Sequence, residues 1–229
     1  MLDHRIQSRH SRRLFLLSSG SITLLTLAGC ARPKSRRDTH ALKLAGQAKR
    51  PTPYGAFPNE AFPIAAIPRG RLERKFQRQR VRYVTDEKPG TVIVDTGNFY
   101  LYHVERKGWA MRYGVGLGRA GFAWSGRARI AWKRKWPTWT PPEEMIARQP
   151  ELVKWGVAYG GMPPGLDNPL GARALYIFQG NKDTLYRLHG TPEVSSIGRA
   201  VSSGCVRLTN HDIIDLYARV RSGSPIVVI

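Results

Sequence analysis

Apolar and polar positions fall into two regimes along the chain. Beyond residue 84, short runs of β-branched and aromatic residues are separated by breaks that carry glycine and asparagine, the pattern of strands and tight turns. TVIVD (91–95) and FYLYHVE (99–105) flank Gly97-Asn98 and predict a β-hairpin. WAMRYGVGLG (109–118) and RIAWK (129–133) continue the strand pattern, with glycines spaced for bends and close backbone approach. ALYIF (174–178) and TLYRLH (184–189) predict a second hairpin around Gly180-Asn181. Pro141-Pro142-Glu143-Glu144 opens a helix in EMIARQ, with proline in the first turn and acids behind it. Asn210 is expected to cap another, whose buried face is Ile213, Ile214, Leu216, Tyr217 and Val220. PIVVI ends the chain as a core strand. The expectation is one mainly β domain, a β-rich α+β fold over residues 84–229, with small helices.

The N-terminal part reads differently. Residues 1–13 are polar and basic, and LFLLSSGSITLLTLA (14–28) is apolar but diluted with Ser, Thr and Gly. Fifteen residues fall short of the roughly 20 that span a bilayer, so residues 1–29 read as a signal peptide. Ser11-Arg12-Arg13-Leu14-Phe15-Leu16 resembles a twin-arginine export signal. Leu27-Ala28-Gly29-Cys30 resembles a lipobox, which would make Cys30 a lipid anchor and place the protein in the cell envelope or periplasm. Ala31 after that cysteine favours outer-membrane sorting. Residues 30–83 read as a basic tether: high charge and scattered proline, with little apolar periodicity before Leu72, favour extended or disordered chain, and RLERKFQRQRVRYV from Arg71 reads as a short basic helix or strand entering the domain.

Charge sharpens the division. The net charge is +21, yet residues 84–229 hold nineteen Lys/Arg against twelve Asp/Glu, while residues 31–82 hold fourteen against three. The excess lies on the arm, whereas nucleic-acid readers concentrate it on a folded face. With an export signal, this argues against nucleic acid; the arm reads either as a contact for anionic envelope polymers or a membrane surface, or as a solvated spacer. No GxxxxGK[ST] or GxGxxG phosphate loop and no cluster of metal ligands is present, so neither cofactor nor metal is expected.

If Cys30 carries lipid, the mature chain holds a single thiol, Cys205, in an oxidising compartment. It is either a small buried hydrophobe or a reagent, and a reagent needs a base or a positive neighbour. His40 lies in the tether, His103 inside a strand, and His211 at a helix start on the surface. His189 ends the strand TLYRLH, where a ring can project into a loop. Gly204 allows a tight turn that would aim N–H groups at a developing oxyanion.

HGT (189–191) followed by VSSGCVRL (201–208) resembles the active-site signature of bacterial L,D-transpeptidases of the YkuD type, and NPLGARAL (168–175) resembles the segment that precedes it in that family. The resemblance covers about residues 90–229. It implies a β-sandwich or barrel with short helices, Cys205 as nucleophile and His189 as general base and acid. It also implies that the Gly190 carbonyl orients the imidazole, and that the amides of Gly204 and Cys205, with Ser203, form an oxyanion hole. Ser202 and Arg207 would serve substrate binding, Arg207 equally as a brace of the loop. Ser203 departs from the histidine many relatives carry there. The implied reaction is acyl transfer on peptidoglycan stem tetrapeptides through a thioester, with a second stem peptide or an outer-membrane protein as acceptor. A carboxypeptidase or endopeptidase on the same scaffold, and a non-catalytic envelope-binding lipoprotein, are the alternatives. Trp136 and Trp139 are expected in the core before a lid.

Overall fold

Two hairpins and a parallel crossover organise the chain. A computed structural model describes residues 53–118, 125–202 and 204–229, with the Ser202 side chain excluded. The signal peptide 1–29, Cys30, His40 and Ser203 lie outside the described residues. The strands are β1 Gln79–Arg82, β2 Val92–Asp95, β3 Tyr100–Val104, β4 Trp109–Gly114, β5 Leu117–Gly118, β6 Gly126–Lys135, β7 Arg173–Gln179, β8 Lys182–Thr191, β9 Ala200–Ser202, β10 Val206–Thr209 and β11 Pro225–Val228. The helices are α1 Glu143–Arg148 and α2 Asn210–Arg219. A nine-stranded sheet runs β1-β4-β3-β2-β11-β6-β7-β8-β10, and β5 and β9 form a small second sheet. Pairing is antiparallel except at β2–β11 and β8–β10, and in the β5–β9 pair. The mainly β expectation therefore holds.

Both predicted hairpins form. Asn98 donates its backbone N–H to Asp95 Oδ1 (3.1 Å) and tightens the β2–β3 turn. The core gathers Val92, Val94, Leu101, Tyr113, Ile130, Leu175, Ile177 and Leu188 under α2, which contributes Ile213, Leu216 and Val220 as expected, with Tyr217 partly covered. The cap of α2 differs. Thr209 is the N-cap, its Oγ1 accepting from Asp212 N (3.1 Å). Asn210 is buried one position later, and its Oδ1 accepts from Ala172 N (2.9 Å).

The expected boundary at residue 84 is corrected. Residues 53–82 are folded onto the domain: Tyr54, Ile64, Leu72 and Phe76 are buried, and β1 adds to the sheet edge against β4. Phe62 packs edge-on against Trp136 (4.9 Å between centroids). Tyr54 Oη donates to Asp212 Oδ2 (3.2 Å) and accepts from Arg78 N. A few large anchors at irregular intervals hold this strap. They carry no helical or strand period, so charge and proline dominated the sequence reading.

Phe76 covers Gly198 so closely that a Cβ there would stand 2.1 Å from its ring. Phe76→Ala should therefore lower unfolding stability by about 3 kcal/mol, measured by urea denaturation.

Candidate active site

The site lies where β8 ends against β10. Parallel register sets Val206 beside Leu188, Arg207 beside His189 and Leu208 beside Gly190. Directly opposed and alternate residues share a face, so His189 and Arg207 stand together. Cys205, one residue before β10, falls diagonally across from His189. The strand bearing the histidine and the turn bearing the cysteine, sixteen residues apart in sequence, are thus neighbours.

His189 is buried, and its Nδ1 lies 2.7 Å from the Gly190 carbonyl oxygen. A carbonyl only accepts, so Nδ1 carries the proton and Nε2 keeps the lone pair. Burial lowers the ring's pKa to about 4; the Gly190 and Pro169 carbonyls oppose this, while Arg207 and Arg187 add to it. The ring rests neutral. Gly190 admits no side chain: a Cβ would meet Asn210 Oδ1 at 2.3 Å and Ile213 Cγ2 at 3.0 Å. Gly171, at φ +60°, approaches the same Asn210 oxygen equally closely. Asn210, which sequence reasoning assigned to a cap, is wedged between these two backbones and fixes the end of β8.

The Cys205 thiol is half-buried and donates to the Leu185 carbonyl (3.9 Å). Burial pushes its pKa up, while the Arg187 main-chain N–H and the Arg187 and Arg207 guanidinium groups pull it down. Gly204 sits at φ +142°, a conformation that side chains rarely adopt. Its backbone nearly touches Gly118, where a Cβ would come within 2.5 Å of Gly204 Cα. Arg207 exchanges backbone hydrogen bonds with Gly116 (2.8 and 2.9 Å). Its Nη1 pairs with Glu193 Oε2 (3.2 Å) in the loop between the two strands, so its observed side-chain contact is that of a brace. Thr191 Oγ1 accepts from Glu193 N (3.1 Å) and opens that loop.

The other described histidines, His103 and His211, stand elsewhere. His211 is buried, contrary to the expected surface role: Nε2 lies 2.9 Å from the Gly55 carbonyl, and the ring faces Tyr54 and Phe57. It pins the strap. His103 lies in β3, separated from β8 by β2, β11, β6 and β7 in the sheet order. Trp136 is in the core as expected, its Nε1 donating to Glu60 (2.9 Å). Sequence reasoning missed Asn168, whose buried Nδ2 donates to the carbonyls of Pro137, Met162 and Pro163 (3.1, 3.2 and 3.0 Å) and ties the Trp136 segment to the loop before β7. It also missed Arg187. Among the described residues no group of three or more His, Cys, Asp and Glu side chains could hold a metal ion.

Comparison with known proteins gives these features a setting. A family model described as the L,D-transpeptidase catalytic domain, YkuD, matches residues 89–228. Escherichia coli (strain K12) YbiS, a probable L,D-transpeptidase, is 33% identical over 138 residues, which are 58% of this chain and 42% of that protein. A putative L,D-transpeptidase of Fuscovulum blasticum is 36% identical over 104 residues, 45% of this chain and 49% of the other. The chain spans less than half the length of these curated relatives. A Brucella melitensis crystal structure, named a probable carnitine operon oxidoreductase, shares 45% identity and covers 69% of this chain and 96% of its own, with a TM-score of 0.48. That name belongs to the Brucella protein; the family model and the curated relatives speak for L,D-transpeptidases.

The buried neutral His189 makes acid costly to the fold. An unfolded imidazole takes its proton near pH 6.5, the folded one only near 4. Its contribution is whole above pH 6.5 and is lost as pH falls toward 4, on the order of 3 kcal/mol. Melting temperatures from pH 7 to 4 should fall less steeply in His189→Gln than in the wild type.

Proposed function

The chain belongs to the L,D-transpeptidase catalytic-domain (YkuD) family, and from that premise we propose that it is a cysteine acyltransferase acting on peptidoglycan stem tetrapeptides. The single observation that carries the reading is the β8–β10 register, which sets the turn bearing Cys205 beside the strand end bearing His189.

In this reading Cys205 Sγ attacks the carbonyl of the third stem residue, a diaminopimelate, at its bond to the terminal D-alanine. The thiol proton passes to His189 Nε2, whose lone pair the Gly190 carbonyl secures from the far side of the ring. Main-chain N–H groups of Gly204 and Cys205, with Ser203, receive the developing oxyanion. Collapse breaks the C–N bond, and the departing D-alanine amine takes the proton from His189, leaving a thioester. An acceptor amine then attacks, gives its proton to His189 and displaces the sulfur, which is reprotonated. A second stem peptide as acceptor yields a 3–3 cross-link, an outer-membrane protein yields a wall attachment, and water yields a tripeptide. Ser202 and Arg207 border the path of the substrate. Export by residues 1–29, a lipid on Cys30 and attraction of the basic arm to anionic envelope surfaces would hold the domain beside its polymer.

Incubating the purified protein with disaccharide tetrapeptide should release D-alanine and give a cross-linked dimer. Cys205→Ala should abolish the product, and His189→Gln should slow it by about 10²–10⁴. Tripeptide without dimer would make the enzyme a hydrolase. An untouched substrate, together with no meropenem adduct on the wild type by mass spectrometry, would leave a non-catalytic envelope protein. For the anchor, Cys30→Ala should move the protein out of the membrane fraction.

A further inference from the structure

A line of four residues crosses the sheet to the thiol. Trp132 on β6 pairs with Tyr176 on β7, and Tyr176 pairs with Arg187 on β8. One step before Val206–Leu188, the parallel register sets Arg187 opposite Cys205. Opposed residues share a face, so the line is continuous on the side that carries His189 and Arg207.

The line is stacked and clamped. The Trp132 and Tyr176 rings lie 3.4 Å apart at 14°, and the Arg187 guanidinium lies 4.4 Å from the Tyr176 ring centre. Asp183 takes it in two parallel bonds, Nη1 to Oδ1 at 2.7 Å and Nη2 to Oδ2 at 2.8 Å. Nη1 also donates to the Tyr186 carbonyl (2.9 Å). With only 14% of its side chain exposed, this guanidinium has little freedom and little screening by water. Arg207, a second cation that acts on the sulfur, pairs with a Glu193 side chain that is 61% exposed. Burial raises the Cys205 pKa; Arg187 lowers it through its main-chain N–H and its charge, and Arg207 through its charge. Both arginines disfavour a proton on His189.

We propose that Arg187 is a positioning residue that stabilises negative charge on the Cys205 sulfur as its proton leaves for His189, its guanidinium fixed by Tyr176 and Asp183. The inference rests on Cys205 as the nucleophile of the reaction proposed above. A merely structural Arg187 would stabilise β7 and β8 without setting the charge on sulfur.

The test reads the thiol directly. Iodoacetamide alkylation of Cys205 is followed from pH 5 to 11 in the full chain, with Cys30→Ala as background so that one thiol reports. Arg187→Gln should alkylate about tenfold more slowly at pH 7, with its midpoint about one unit higher and the high-pH plateau unchanged. Arg187→Lys keeps the charge but loses the fork to Asp183 and the stack on Tyr176, so its midpoint should fall between those of the background protein and Arg187→Gln. Arg187→Met, whose stem still packs on Tyr176, replaces Gln if thermal melting shows that variant unfolded. An unmoved midpoint in the neutral variant, or a fall of equal size at every pH, would overturn the proposal. Substrate turnover is scored separately. A shifted midpoint beside an untouched tetrapeptide would keep the role of Arg187 and sink the substrate reading; turnover with an unmoved midpoint would do the reverse.

Discussion

Everything in the site hangs on the register of β10 against β8. A slip of one residue would turn each β10 side chain to the opposite face, taking Arg207 away from His189 and the Cys205 turn off its diagonal. Parallel neighbours cannot be joined by a tight turn, so the chain must leave β8 and return through residues 192–205. Several contacts hold that excursion: the Thr191–Glu193 turn, the Arg207–Glu193 pair, the β5–β9 pairing and the ring of Phe76 on Gly198. Asn210, wedged between Gly171 and Gly190, stops the end of β8 from shifting.

The electrostatics of the pair follow from the same packing. Burial favours the neutral form of both the thiol and the imidazole. The nearby guanidinium groups then act with opposite effect on the two: they favour a charged sulfur and disfavour a charged ring. In the proposed reaction, a proton that reaches His189 is weakly held, which suits a group that must pass it on to a departing amine. The arrangement is poor at storing an ion pair and good at moving a proton through one.

Much of this was legible in the sequence, because the signals are local. Both hairpins announce themselves by strand runs around Gly-Asn or Asn-bearing breaks, and the spacing of His189 and Cys205 carries the likeness to the transpeptidase signature. Other features depend on distant partners. The strap over residues 53–82 is held by Tyr54, Ile64, Leu72 and Phe76, too sparse to show a period among the prolines and arginines. Asn210 has a cap's composition, but Thr209 just before it takes the cap, and a backbone amide 38 residues upstream takes the asparagine. His211 shows its value only once Gly55 lies against it. Arg187, two residues before His189, shares its face by strand alternation alone; its link to the thiol appears only when β10 is laid beside β8.

The strap has a consequence for how this catalytic unit can be moved between proteins. The family match begins at residue 89, whereas side chains covering the site's loop begin at Tyr54. A graft cut at the family boundary would leave Ile197 and Gly198 bare beside the loop that must return to Cys205 and would cost the sheet its edge strand. Moving this chain's catalytic unit would therefore mean carrying those thirty-five residues along, or supplying another cover for the same loop.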